Sequence, residues 1–507
     1  QQCCAGAITS PTYTITPLEG IRQRAPRGVD VEFERGADAP GPADLTQGPD
    51  AIPSSVLSPP GAPGQTGVRA QFWNNTTFSG APLATRTDPR PQFDNGPIQY
   101  FAIHPEVTRP PAGARAVRYT GTITAPESGS YRLSLSGFGT GRLIFEGRQI
   151  VSFANQIAPR AYVSEPVELR AGRSYTFRLD YAATNPRDGL DPGSVRIGWL
   201  PPQGTVSPDI EAAVELAEES DVAVVVAGLY EAEARDRGEL DLPTEQDELI
   251  EAVSRANPRT IVVLQSGGPV PMPWIGQVDG IVQLYYGGGE QGRALADVLF
   301  GDVNPSGKLP ISYPRRDTQP MALGINNPLV TSEDFDVEFD EGVFVGYRGY
   351  ERARTRMQFP FGHGLSYTRF QYRNADAENR GGQVSVSFTL HNTGQRTGAE
   401  VAQVYAGTLP TSTPTPPKQL AGWAKVELDP GESRDVTVPL ACKSLSHWDP
   451  GANTDAGQSE GQANTTNPAG TDPVSQNTDG RWVTPTGRVT IDVGSSVQDI
   501  RLTDTVT

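Results

Sequence analysis

Val222-Ala223-Val224-Val225-Val226, running on into Ala227-Gly228, decides the fold of this chain. The run is continuously apolar, as expected of a strand buried on both faces in a parallel sheet. Before it, Ile210, Ala213, Val214 and Ala217 fall on one helical face. After it, Thr244 with Asp247 three residues on resembles a capping box in which Asp stands for the usual Glu. Leu249, Ile250 and Val253 then mark a helix, Thr260–Leu264 and Gly280–Leu284 two further strands, and Gln291–Phe300 another helix. Helices alternating with buried strands predict a parallel α/β layer over 203–330.

Working outward, residues 68–200 read as all-β. Tyr131-Arg132-Leu133-Ser134-Leu135 and Tyr175-Thr176-Phe177-Arg178-Leu179 alternate, and Ser128-Gly129 and Ala171-Gly172 supply turns. That texture suits a β-sandwich or barrel. Residues 360–507 return to strands: Val384–Leu390 alternates cleanly and Asp435–Leu440 in part, predicting a small sandwich. Within it, 451–480 is Asn, Thr, Gly, Gln and Ser with almost no apolar residue and reads as a disordered surface loop. At the start, Thr16 and Pro17 predict an N-cap and first turn, Val29–Phe33 a short strand, and 37–67 a Pro/Gly linker. A β block between two α/β parts reads as an insertion at a loop tip.

The 507 residues carry a net charge of −17. Such a chain repels nucleic acid and anionic membrane surfaces, whereas a neutral substrate such as a sugar needs no steering. No apolar run approaches a membrane span. Cys3, Cys4 and Cys442 form neither a disulfide framework nor a metal-ligand spacing, His104, His391 and His447 show no ligand spacing, and His363, in a Gly-Pro-Phe setting, reads as a structural residue at the domain junction rather than a base. No metal or cofactor is implied. Cysteine usage is compatible with a reducing compartment without proving one, so cytoplasmic and secreted locations both stay open; the sequence leaves homo-oligomerisation open as well. Asn74, Asn75 and Asn464 open glycosylation sequons that matter only in a secreted eukaryotic product. The start, without Met or a basic-then-apolar leader, reads as cut.

The chemistry-bearing stretch follows the first strand: Gly228-Leu229-Tyr230-Glu231-Ala232-Glu233-Ala234-Arg235-Asp236-Arg237, then Leu240-Asp241-Leu242-Pro243. Functional loops of parallel α/β sheets lie at the carboxyl ends of strands. A carboxyl group there serves as a general acid if burial raises its pKa. Charge pattern alone leaves a solvated charged loop as the plainer reading. Gly287-Gly288-Gly289 lacks the Lys and Ser/Thr of a phosphate-binding loop. Trp73, Trp199, Trp274 and Trp423 read as core residues.

This loop resembles that of the family 3 glycoside hydrolases, the β-glucosidases and β-xylosidases. The likeness continues through Gln265-Ser266-Gly267-Gly268-Pro269-Val270, Pro273-Trp274 and Gly287-Gly288-Gly289-Glu290. It is strongest over Ala294–Pro310, and resumes at Phe344-Val345-Gly346-Tyr347-Arg348 and Pro360–Tyr367. Tyr13–Ile21 resembles the opening of that family's C-terminal α/β domain. Ala70–Trp73 and Val195–Trp199 resemble the first and last strands of a protective-antigen-like β domain inserted in some members. Leu420–Val426 resembles the family's fibronectin type III-like domain.

The resemblance implies an α/β sandwich domain interrupted by a β-sandwich or barrel insertion and followed by a fibronectin type III-like sandwich. Its parts would be 1–65 (truncated, with the linker), the insertion 66–202, the remaining α/β domain 203–358, and the last domain 359–507. Glu233 takes the family's acid/base position, with Glu231 as fallback, and Asp236 and Arg237 take the following loop-orienting pair. Ala234 stands where the family has Gly. The nucleophile, an Asp on an N-terminal (β/α)8 barrel, has no counterpart here, because no eight-fold alternation of strand and helix is present. The implied parent reaction is retaining hydrolysis of a terminal β-linked sugar in short oligosaccharides or aryl β-glucosides, with xylosides or arabinosides as alternatives. This chain alone is expected to be inactive without a barrel partner. A non-catalytic carbohydrate-binding or structural subunit is the competing reading.

Overall fold

The computed structural model describes residues 12–94, 109–184, 193–231, 239–315, 341–449 and 480–507. They form two compact units, one of the described residues up to 302 with 314–315, the other of 303–313 and those from 341 onward. Of the stretch 451–480, read as a disordered loop, all but Gly480 lies outside the described residues.

In the first unit the apolar run forms β1 (Ala223–Gly228), which pairs in parallel with β2 (Thr260–Gln265), itself parallel to β3 (Gly280–Gln283). Helices α1 (Pro17–Arg24), α2 (Pro208–Glu218), α3 (Gln246–Ala256) and α4 (Gln291–Leu299) complete the α/β layer. The burial of β1 corrects the sequence reading. Val225 and Ala227 are buried, but Val222 and Val226 are 48% and 40% exposed. Of the described helices, α3 packs on the strand, and the exposed Val222 and Val226 lie away from the buried Val225 and Ala227.

Thr16 caps α1 as expected. Its hydroxyl accepts from Glu19 N, and the Glu19 carboxylate accepts from Thr16 N at 2.8 Å. The predicted capping box of α3 does not form. Glu245 occupies the cap position in a left-handed conformation, with no side-chain cap. Thr244 Oγ1 instead donates to Asp38 O at 2.8 Å, and Asp247 accepts from Trp274 Nε1 at 2.7 Å. Tertiary partners claim both side chains.

Two readings of the first 67 residues are also corrected. Val29–Phe33 joins no sheet, and both end residues are exposed. The supposed linker is packed structure. It contains 3-10 turns at Pro42–Leu45 and Ser54–Val56, and Ala51, Ile52, Val56 and Leu57 are buried. Ile52 N donates to Ile197 O, and Trp199 N to Asp50 O. Asp38 accepts from both Ser54 N and Ser54 Oγ at 2.7 Å.

The segment leads into a ten-stranded antiparallel sheet whose main path is Ala84–Asp88, Val68–Trp73, Ala116–Thr124, Ser174–Ala182, Gly129–Phe145, Ser194–Leu200 and Gln92–Asp94. Gly129–Phe145 changes partners midway. Its first half pairs with Ser194–Leu200 and its second with Ser174–Ala182. One apolar core, including Phe72, Phe93, Tyr119, Tyr131, Leu179 and Trp199, fills this block.

The second unit carries a three-stranded sheet (Phe370–Arg380, Gln383–Asn392, Ser433–Pro439) and a four-stranded one (Lys418–Leu428, Gly398–Gly407, Val489–Gly494, Ile500–Val506). Their inward residues, among them Val386, Phe388, Val404 and Ile491, share one core. This is the predicted small sandwich. His363 stacks on Phe359, with ring centroids 4.9 Å apart. Trp73, Trp199 and Trp274 are buried as expected, but Trp423 is 62% exposed and is no core residue. It sits on a strand whose buried positions are Ala421, Val426 and Leu428.

Candidate active site

The carboxyl ends of the three parallel strands meet in a hydrogen-bonded cluster. Gln246, the first residue of α3, brackets the end of β1. Its Oε1 accepts from Gly228 N at 2.7 Å and its Nε2 donates to Gly228 O at 3.0 Å. Leu229 N then donates to Gln265 O at the end of β2. Gln283, closing β3, donates to Ser266 O at 2.8 Å. These polar side chains do at the strand ends what a further strand would do along the edge: they satisfy backbone groups leaving the ladder.

Glu231, three residues beyond β1, is a strut in this cluster. Its Oε2 accepts from Gly267 N at 2.7 Å and from the Tyr286 hydroxyl at 2.8 Å. The same hydroxyl lies 3.1 Å from Leu229 O. A Cβ at Gly267 would sit 2.6 Å from that carboxylate oxygen, so a larger residue there would push the Glu231 carboxylate off Gly267 N. Tyr286 and Gly267 were not singled out as site residues. The Gln265–Val270 motif was visible, but which neighbour it would hold was not. Glu233, Asp236 and Arg237 lie outside the described residues, in the interval 232–238.

Tyr230, two residues before that interval, and Glu239, which follows it directly, both line a cavity of about 870 Å³. Its other walls include Asp44 and Asp50 from the former linker, Arg160 and Arg196 from the β block, and Asp241 and Asp247. The α/β layer and the insertion therefore build one concave site.

Beside it, three carboxyl groups crowd the start of α3. Burial pushes Glu245 up to about 8, against a hydrogen bond from Ser207, and the nearby charges of Glu248, Asp50 and Asp38 add to the rise. Burial pushes Asp247 up to about 7 despite the Trp274 N–H, and Asp50 up to about 6 despite Arg196. The unfolded chain releases these protons near pH 4. The folded protein thus holds protons that the unfolded one has lost, and stability falls as pH rises from about 4 to about 8, levelling off above. Calorimetric scans should show the melting temperature falling between pH 5 and 8.5, and Glu245→Gln should flatten the part above pH 6. An unchanged slope in that variant would mean Glu245 is ionised in the fold. Among the described residues, no group of three His, Cys, Asp or Glu side chains is placed to hold a metal ion.

Comparison with known proteins accords with this architecture. The model described as the glycosyl hydrolase family 3 C-terminal domain matches residues 2–367, and that of a fibronectin type III-like domain matches 400–460. A probable beta-glucosidase I of Aspergillus terreus is 34% identical over 478 residues, covering 88% of this chain and 54% of that protein. A beta-glucosidase of Rhizobium radiobacter is 31% identical over 462 residues, covering 86% and 52%. Among solved structures, a beta-glucosidase from Streptomyces venezuelae in complex with D-glucose superposes with a TM-score of 0.59 at 29% identity. That match covers 99% of this chain and 53% of the other. The beta-glucosidase of Kluyveromyces marxianus gives 0.58 at 28%, covering 99% and 57%. The chain spans about half the length of the relatives it matches. A C-terminal-domain match over most of the sequence, on an α/β layer with a β insertion and a trailing sandwich, places this chain in glycosyl hydrolase family 3.

Proposed function

We propose that this chain is the acid/base-bearing portion of a retaining β-glucosidase, with Glu233 as proton donor and Glu231 as the strut that sets its loop. One observation carries the reading: Tyr230 and Glu239, which bracket the stretch holding Glu233, line the cavity shared by the α/β layer and the insertion. Glu231, the fallback acid, already accepts two hydrogen bonds through Oε2, which suits a positioning residue. The half-exposed valine face of β1 supports the division as well, since parallel sheets are ordinarily covered on both faces.

In this reading a carboxylate on a barrel outside these residues attacks the anomeric carbon while Glu233 protonates the departing glycosidic oxygen. The same glutamate then takes a proton from water as water displaces the enzyme carboxylate, releasing the sugar with retained configuration. Asp236 and Arg237 orient the loop. The relatives named above are beta-glucosidases, which favours glucose over xylose or arabinose. Short β-linked oligosaccharides and aryl β-glucosides are the proposed substrates.

Assayed alone on an aryl β-glucoside, the chain should show no turnover. Combined with the N-terminal half of a full-length relative, it should gain it. Turnover by the chain alone would locate a nucleophile within these residues and overturn the division of labour.

A further inference from the structure

Trp448 and Trp482 are the two large aromatic side chains of the second unit that stand exposed together, at 46% and 50%. They occupy directly opposed positions on a two-stranded antiparallel ribbon, His447–Asp449 with Arg481–Val483. Opposed residues of a ladder share a face. The indoles meet edge to face, with centroids 5.8 Å apart and planes at 69°. Neither belongs to the sandwich core.

The surroundings of the pair are polar. Lys443 Nζ lies 5.3 Å from the centre of the Trp482 ring. Two residues along the same face of the ribbon, the Ser446 and Thr484 hydroxyls are hydrogen-bonded at 2.7 Å. Asp449 and Arg481 pair on the opposite face at 3.8 Å. Trp448 packs close against Gly480, where a Cβ would fall 2.1 Å from the indole. The glycine thus seats one ring while its outer surface stays open. The sequence between the strands, 450–479, carries a single large apolar residue, Val474, and no aromatic one.

The geometry points to a carbohydrate-binding surface on this ribbon, separate from the site in the first unit, that takes a β-linked glucose oligomer. A β-glucopyranose carries its hydroxyls equatorially, so both ring faces present axial C–H groups that stack on an indole. One indole supplies a floor, the second a wall; Lys443 donates to the hydroxyl rim, and the Ser446 and Thr484 oxygens, whose own protons go to Cys442 O and Ser446 Oγ, accept from it. A neutral ligand of this kind meets no penalty from the chain's net charge of −17. An anionic polymer does. The choice of glucose rests on the β-glucosidase reading above; the platform does not.

The full 507-residue chain is titrated with cellotetraose and laminaritetraose, followed by indole fluorescence and calorimetry. Saturable binding is expected, weakened at least tenfold in Trp482→Ala and in Trp448→Ala, partly kept in Trp482→Phe, and unchanged in the control Trp423→Ala. The melting temperature of each variant shows that it folds. Absence of binding, or binding equal in parent and both alanine variants, overturns the proposal. So does a lower melting temperature with unaltered binding, which would make the pair only a clasp for the ribbon. The readout needs no turnover, so it fails independently of the acid/base assignment.

Discussion

Glu233→Ala, in the chain combined with a barrel half, is expected to lower kcat on an unactivated β-glucoside by about 10²- to 10⁴-fold, the usual worth of a positioned general acid. The size of the loss should depend on the leaving group. An alkoxide needs the proton and suffers the full loss, whereas a nitrophenolate leaves without help, so the first step survives and hydrolysis of the glycosyl-enzyme becomes limiting. Azide, which needs no general base, should then restore turnover on the activated substrate and yield the β-glucosyl azide. Glu231→Ala should behave differently. It removes the acceptor of Gly267 N and the Tyr286 hydroxyl, and so disturbs the loop's position. A loss on all substrates without azide rescue is expected. Azide rescue at Glu231 rather than Glu233 would reassign the acid.

Asp44→Ala is expected to cost about 3–5 kcal/mol of stability, because it strips the buried Arg196 of its paired carboxylate and leaves the buried Arg90 only Asp38, at 3.9 Å. The Asp44 carboxylate, 1% exposed, accepts from Arg90 Nη2 at 3.1 Å, Gln92 Nε2 at 2.8 Å and Gly41 N at 2.8 Å, with Arg196 Nη1 at 3.4 Å. Arg90 and Arg196 are themselves almost fully buried. Burial alone would raise the acid, but the two guanidinium groups, the Gly41 N–H and Gln92 bring it below its ordinary value. The contribution is therefore present above about pH 4 and lost as pH falls below it, opposite in sign to that of Glu245. Urea unfolding at pH 7 measures it. Asp44→Asn, which keeps acceptor geometry but not charge, should fall between parent and alanine. A change under about 1 kcal/mol for the alanine variant would be the figure for a solvent-exposed pair and would refute the buried network.

Much of the layer order was legible because it depends on local pattern. Thr16-Pro17 with Glu19 specifies a helix start through contacts three residues apart, and it forms as read. Val384–Leu390 alternates because one face of its strand is buried. Readings failed where the deciding partner is distant in sequence. The signal at Thr244 and Asp247 was sound for an isolated helix, but Asp38 and Trp274 claim those side chains. The stretch 37–67 looked like a linker because its Pro, Gly and Asp content is that of solvated chain. Asp44 there is a buried ion only because Arg90 and Arg196 arrive from the sheet. At the site, motif spacing marked the 231–237 loop, and it left invisible that Glu231 is tied to Gly267 and Tyr286.

The packed segment 38–56 also bears on how this architecture can be taken apart. Asp38 O and Asp50 Oδ1 receive Thr244's hydroxyl and backbone N–H, while Ile52 N and Asp50 O bond to Ile197 and Trp199 of the sheet. One short stretch is thus stitched to both layers. A graft cut just before Val68 would carry the sheet without the strip that covers its last strand, leaving Arg196 with no acceptors from Ala43, Gly48 or Pro49. The transplantable piece begins near Asp38, and a chimaera joined there keeps its seam intact.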